Sequence, residues 1–410
     1  MRVLVVHNRY RSAEPSGENT VVEQEVRLLA AAGVDVEQCL VESDAIASWS
    51  LPRRLAVPAG VVWSRSGQAI VRRAIDAARP DVVHFHNTFP LLSPAAIRAA
   101  SGRGVATVQT FHNFRPICPS SNGLLRNGHV CHDCPGHLPL PAVRHGCYRG
   151  SRIATMPLAT MDVVHQRLGT WTRHLDRLIF PSTFALEEYR AAGWPTDRMT
   201  LKPNTAERPS ATGLHPRAGL VCVARMRDEK GVDVLIEAWR KQTAPALNLR
   251  LVGGGEELEA YRARAAGLDT ISFDGQVPYD VVAEALASAS AVVVPSKVPE
   301  VFPRVVLEAF AVGTPVLAAR RGVLADLVRD GENGLLFEPD DVADLGRAIE
   351  RALADPAALR RMGEVARADY EQKFSPEVTT RRLIEIYQEA IDHRHNPLVG
   401  CVERRIGETA

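Results

Sequence analysis

Two carboxylates eight positions apart, Glu300 and Glu308, frame the stretch AVVVPSKVPEVFPRVVLEAFAVGTPVLAAR at 291–320. AVVVP is a short β-branched run that predicts a buried parallel strand. SKVPEVFP predicts a loop, RVVLEAFA a helix opened by Pro303, and PVLAA the next strand. Such a loop lies at the carboxyl edge of a parallel sheet, where open α/β sheets bind ligands. Glu308, on the first turns of that helix, can accept both hydroxyls of a ribose. The plainer reading is a surface pair with Arg304, four residues before it. Glu300 cannot share that helical face and is aimed instead toward an interdomain cleft.

Cations and imidazoles extend the set. Arg225 lies just past the strand LVCVARM, and Lys230 follows in the loop. Two cations at a sheet's carboxyl edge can grip a pyrophosphate; a solvated surface pair is the alternative. Gly253, Gly254 and Gly255 end the next strand, where glycine permits close backbone approach. No GxGxxG opens the first strand-helix unit, so this is not the dinucleotide fingerprint. His112 ends the strand VQTFHN, beside a strand ending in His84 and His86. A neutral imidazole there can donate or accept a hydrogen bond to a reacting sugar, although one of the three is expected to be packed or bonded locally.

Cys118, Cys131, Cys134 and Cys147 give C-x12-C-x2-C-x12-C. Four soft ligands, two close together, suit tetrahedral zinc, and an insertion with little hydrophobic patterning gains order from a metal. Reduced thiols, iron–sulfur ligation, a disulfide pair and substitution of one thiolate by His129, His132, His137 or His145 are the other readings. Cys39 and Cys222 read as core residues and Cys401 as a tail thiol.

The elements that must position these groups alternate. VLVVH, VDVEQCLV, DVVHFH, VATVQTFHN, DRLIFPS and MTLKPN predict parallel strands separated by helical patterns. LVCVARM, LNLRLVGGG, ISFDGQV, AVVVP and PVLAA predict a second set. The chain of 410 residues suits two α/β domains. The boundaries read as 1–207 with a Cys-rich insertion at 115–150, a linker at 208–219, and a second domain at 220–375. A terminal helix is read at 376–392, ahead of a polar tail at 393–410. Net charge is +1, yet residues 1–207 hold 23 Lys and Arg against 17 Asp and Glu. That excess suits an anionic acceptor or a membrane surface as well as ordinary surface variation. No nucleic-acid motif is present. MRVLVVHNRY lacks a secretory apolar core and no apolar run spans a bilayer, so a cytoplasmic protein is expected.

PEVFPRVVLEAFAVGTPVLA resembles the E-x7-E motif of retaining family 4 glycosyltransferases, which have the GT-B fold of two Rossmann-like doubly wound domains facing across a cleft. ARMRDEKG, LVGGG and NGLLFEPDD also match, and the similarity covers nearly the whole chain. The resemblance implies transfer of a hexose or N-acetylhexosamine from a nucleotide-diphosphate sugar, UDP favoured, to a hydroxyl acceptor in cell-envelope glycan or natural-product biosynthesis. A GDP-mannose donor, a sugar-nucleotide epimerase and a noncatalytic sensor are the alternatives. It assigns Arg225 and Lys230 to the donor diphosphate, Glu308 to the ribose and Glu300 to the transferred sugar. Val301, Phe302, Pro303 and Arg304, with Gly254, Gln276 and Val277, complete the donor site. His112 matches the first-domain histidine that faces the donor sugar. The loop PSGEN at 15–19 matches the loop closing on donor and acceptor, which brings in Gly17, Glu18 and Asn19. Gly17 is assigned to the donor, Arg9, Arg11, Glu18, Asn19 and His86 are acceptor candidates, and the resemblance implies that the terminal helix crosses back to the first domain.

Two departures stand out: Pro303 replaces a common glycine and removes a backbone N–H, and Gly17 stands where two glycines are common. The cysteine insertion is similar to one in a bacterial, especially actinobacterial, subset. No cofactor is implied for catalysis; zinc is expected only as a structural ion at the four cysteines. The acceptor is anionic or lipid-linked in some readings, with peripheral membrane contact and a homodimer as further expectations.

Overall fold

The computed structural model describes residues 1–10, 12, 16–120, 124–126, 129–208, 217–242 and 248–396. Of the acceptor candidates, Arg11 lies outside them, as do Pro15, most of the linker at 208–219, the tail beyond 396 and Cys401. The chain divides into two compact units. One comprises Met1–Arg126, Cys131–Lys202 and the chain from Thr380; the other is chiefly Pro203–Thr379.

The first unit is built on six parallel strands, β1 (Arg2–Arg9), β2 (Asp35–Glu42), β3 (Val82–Phe85), β4 (Ala106–Thr110), β7 (Arg177–Phe180) and β8 (Met199–Leu201). Two-residue strands β5 (Leu125–Arg126) and β6 (His129–Val130) fall between β4 and β7. The spatial order is β2-β1-β3-β4-β7-β8. Strands β1, β3 and β4 are buried almost throughout, as near-continuous apolar runs demand when both sheet faces are covered. Edge strand β2 is mostly exposed and carries the charges of DVEQCLVE. The helix Pro376–His395 sends Leu383, Ile386, Tyr387 and Ala390 into a core shared with Val3, Val5, Val22, Val108 and Ile179.

The second unit holds β9 (Leu220–Val223), β10 (Leu249–Val252), β11 (Ile271–Gly275), β12 (Ala291–Val294), β13 (Val316–Ala319) and β14 (Gly334–Phe337), in the order β11-β10-β9-β12-β13-β14. Connections run one way from β9 and the other way from β12, so the strand order reverses between these two. That switch point is where doubly wound sheets leave a crevice beyond the strand ends. In the first unit the reversal falls between β1 and β3.

The stretch 44–60, which reads as irregular in sequence, is largely helical: a 3-10 turn Ser43–Ser48, then helices Leu51–Leu55 and Val57–Val62. Pro52 and Pro58 sit in first turns, where the missing N–H has no intrahelical partner to lose. Among the described residues no helix is long and apolar enough to cross a membrane.

Candidate functional site

In the second unit the loops leaving β9 and β12 are stitched together. The Lys297 amide donates to the Glu229 carbonyl at 2.9 Å. The Lys297 ammonium donates to Asp228 and Asp233, each at 2.8 Å. Gly231 makes this approach possible: its φ is +69°, and a Cβ there would sit 1.9 Å from the Pro295 carbonyl oxygen. The result is that Lys230, after β9, donates to Glu300, after β12, at 2.5 Å. The Ser296 hydroxyl donates to the same Glu300 oxygen at 2.9 Å. Burial pushes the Glu300 carboxyl up, but Lys230, Ser296 and Arg225 outweigh it and hold the group below the usual carboxylate range. Arg225 is exposed at the rim.

Glu308 lies on the helix Arg304–Ala311, which Pro303 caps without a side-chain bond. It is 7% exposed and pairs with Arg304 at 3.0 Å. Burial raises its carboxyl above the ordinary value, only partly offset by Arg304. Gly253 and Gly255 serve the chain itself: a Cβ at either would strike the Ala224 or Met226 carbonyl oxygen at 1.9 or 2.4 Å. Gly254 lies between them, against Gln276 of the turn leaving β11, with Val277 next in sequence. Val301 and Phe302 are half-buried, and Phe302 faces Phe374 edge-on at 6.2 Å. Ser296 and Lys297, which sequence reasoning missed, join these loops; their signal was two polar residues directly after a buried strand.

In the first unit a second polar group gathers at the switch point. Ser16 caps the helix Gly17–Ala31, accepting from the Asn19 amide. Gly17 is its first residue. The Asn19 side-chain oxygen accepts from His7 Nε2 at 2.9 Å and from the Tyr10 amide at 3.3 Å, tying the helix to the end of β1. Arg9 is engaged with Glu23 and Glu42. His86 is 3% exposed and bonded through Nδ1 to His112 Nε2 at 2.9 Å. His112 is half-buried and lines a pocket with Gln109, Asn113 and Arg115.

Glu18 accepts from the Tyr10 hydroxyl at 3.1 Å. Burial pushes its carboxyl up to about 7, against the lowering effects of Tyr10, Arg115 and Asn113. A carboxyl raised in the folded state binds more protons there than in the unfolded chain. Stability contributed by this group therefore falls as pH rises from the ordinary carboxylate range through about 7. Unfolding by urea at pH 5 and pH 8 should show a decline in wild type that Glu18→Gln lacks. Equal decline in both proteins would contradict the burial.

The four-cysteine zinc site expected from the sequence is not formed. Among the described residues, the group of three or more His, Cys, Asp or Glu whose ligand atoms lie within 4.8 Å of one another is Glu25, His84 and His86. Cys118, Cys131, Cys134 and Cys147 are free thiols, and Cys118 shares a hydrogen bond with Ser120 at 3.3 Å. Instead, the described residues of the insertion place single apolar side chains, Ile117, Leu124 and Ala142, in buried positions. Their irregular spacing hides them from a periodicity reading.

Most atoms of the buried Glu25–His84–His86 group are engaged, while His86 Nε2 and Glu25 Oε2 face each other at 3.6 Å without a further hydrogen-bond partner among the described residues. His84 Nδ1 meets the Tyr387 hydroxyl at 2.7 Å and its Nε2 meets Thr110 at 2.8 Å. Glu25 accepts from the buried Lys202 ammonium. A cation there would displace these bonds and lie against an existing positive charge, so the donors fit a hydrogen-bonded network better than a metal.

Residues 208–369 match a family model described as glycosyl transferases group 1, and residues 16–205 match one described as glycosyl transferase 4-like domain. The chain is 31% identical over 357 residues to a D-inositol 3-phosphate glycosyltransferase of Acidothermus cellulolyticus, covering 80% of this chain and 71% of that protein. It is 34% identical over 236 residues to the exopolysaccharide phosphotransferase SCO2592 of Streptomyces coelicolor. That match takes 55% of this chain and only 24% of the relative. Among solved structures, Anabaena Alr3699/HepE in complex with UDP is similar with a TM-score of 0.64 at 18% identity, covering 94% of this chain and 99% of that one. At that identity the likeness is one of fold.

Proposed function

Because the chain belongs to the GT-B-fold glycosyltransferases related to family 4, we propose that it is a retaining enzyme that moves a hexose or N-acetylhexosamine from a UDP-sugar to a hydroxyl acceptor in cell-envelope glycan or natural-product biosynthesis. One observation carries the reading: Lys230, Ser296 and Glu300 are joined at the second unit's switch point, with Arg225 at the rim. The chemistry must stabilise a departing nucleoside diphosphate while the sugar carbon becomes oxocarbenium-like. Fixed cations placed where leaving-group charge grows do this. Arg225 and Lys230 take that role. Glu300, held ionised, accepts hydrogen bonds from hydroxyls of the transferred sugar. Glu308 reads the ribose. His112 is the first unit's contact to the transferred sugar.

The bond from the anomeric carbon to the phosphate oxygen breaks, and the acceptor oxygen bonds to that carbon on the same face. A phosphate oxygen takes the acceptor's proton, so no enzymic nucleophile is needed. The choice of a UDP-sugar keeps the donor that the E-x7-E resemblance favours, and a protein of similar fold was solved in complex with UDP. An acceptor carrying phosphate is supported by the name of the inositol-phosphate relative. In this reading the enzyme works in the cytoplasm, at the inner membrane face if its acceptor is lipid-linked.

A thermal-shift panel of UDP-, GDP- and ADP-sugars, followed by a mass search for glycosylated products in extract, tests the proposal. A UDP-sugar should stabilise the protein most, and the product should keep the donor's anomeric configuration by NMR. No shift with any nucleotide sugar, or an epimerised donor formed without acceptor, would count against it.

A further inference from the structure

The reading of His112 leaves open which of its nitrogens carries the proton, and the buried groups behind it decide that. His86 and His112 share one hydrogen bond, Nδ1 to Nε2 at 2.9 Å. One proton lies in it, and either ring could own that proton. On its far side His86 Nε2 faces the Glu25 Oε2 oxygen at 3.6 Å. The other Glu25 oxygen accepts from Lys202, and both members of that pair are buried. The carboxylate and the Lys202 ammonium form a buried ion pair. At its separation from His86 the carboxylate attracts an N–H on His86 Nε2 and repels a lone pair. His84 does not compete for the proton, because both its nitrogens are taken by Tyr387 and Thr110.

We infer that Lys202, Glu25 and His86 form a positioning relay that fixes His112 as its Nε2–H tautomer and presents its Nδ1 as a hydrogen-bond acceptor. The sequence of roles follows from the carboxylate of this ion pair facing His86 Nε2. His86 keeps its proton on Nε2, so its Nδ1 is a lone pair. His112 must then donate from Nε2, which leaves Nδ1 bare. Burial lowers the affinity of both rings for a second proton, and His112 is pushed down to about 3, so neither becomes imidazolium near neutrality. The ligand class follows: His112 takes a hydrogen bond from a sugar hydroxyl and does not donate one to an oxyanion. This rests on the reading of His112 given above, and makes His86, Glu25 and Lys202 positioning residues for it.

Protein labelled with 15N-histidine reads the tautomer directly in long-range 1H–15N spectra, with His112→Gln identifying the signal. A pyridine-type Nδ1 and a pyrrole-type Nε2 on His112 are expected between pH 6 and 8. In the double variant Glu25→Leu/Lys202→Met, which leaves no unpaired buried charge, His112 should become a mixture of tautomers. Its kcat should fall roughly 10- to 100-fold, with little change in the donor KM. Glu25→Gln/Lys202→Met restores a carbonyl acceptor and should recover much of both. A proton on Nδ1 of His112 in the wild type would overturn the relay, as would an unchanged tautomer and kcat in the Glu25→Leu/Lys202→Met protein. The spectra test the relay whether or not sugar is transferred, so its failure is distinguishable from failure of the donor panel.

Discussion

Lys230→Met is expected to lower kcat/KM by about 10²- to 10³-fold, the cost of removing one preorganised charge-stabilising donor. The ammonium has two tasks in the proposed reaction. It neutralises charge that grows on the leaving diphosphate, and it holds Glu300 ionised through their 2.5 Å bond. Methionine keeps much of the stem's volume and removes the charge. Glu300 then loses the cation that offsets its burial, so its carboxyl rises. A carboxylate needed in ionised form becomes scarcer as pH falls toward that raised value. The variant's residual activity should therefore decline with acidification at a higher pH than the wild type's. Calorimetric titration with UDP should show weaker binding, because the product diphosphate also loses its cation. Steady-state rates and nucleotide affinity indistinguishable from wild type would remove the diphosphate role from Lys230. Arg225 is exposed at the rim, where solvent screens its charge, so Arg225→Gln should cost less than Lys230→Met.

The placement of the second unit's candidate residues was legible in sequence because they are local. Glu300, Pro303, Arg304 and Glu308 lie within one strand-loop-helix unit, and period alone places them at a strand's carboxyl end. Arg225 and Lys230 follow another strand by the same logic. What sequence did not show was the join between the loops. That depends on Gly231 accepting the Pro295 carbonyl against its α-carbon and on Lys297 reaching Asp228 and Asp233. Gly253 and Gly255 looked like room for phosphate, and the space beside them holds the chain's own carbonyls. In the first unit the failures were of long range. Glu25 passes for a solvated helix residue, although Val21 and Leu29, four positions away on either side, are both buried with it. A carboxylate on an apolar stripe was the available signal. Its partner Lys202 lies 177 residues away, and no spacing rule reaches that far. The cysteine pattern misled for the complementary reason: spacing that suits a metal brings the four thiols into one neighbourhood without closing them to within 4.8 Å of one another.

The buried pair also sets the largest expected loss of stability. Lys202 and Glu25 are 1% and 4% exposed, so removing the lysine strands a carboxylate in the interior. Breaking such a pair from one side costs about 3–5 kcal/mol, whereas removing both charges together is often close to neutral. Lys202→Met should therefore destabilise the first unit by that amount near pH 7, and Glu25→Leu/Lys202→Met should recover most of it. Since two units need not unfold together, amide hydrogen exchange on Val82–Phe85 of β3 is the appropriate measure for this unit. A deficit below about 1 kcal/mol in Lys202→Met, the range of exposed pairs, would mean that water reaches Glu25. The electrostatic hold on His86 and His112 would then be too weak to fix a tautomer.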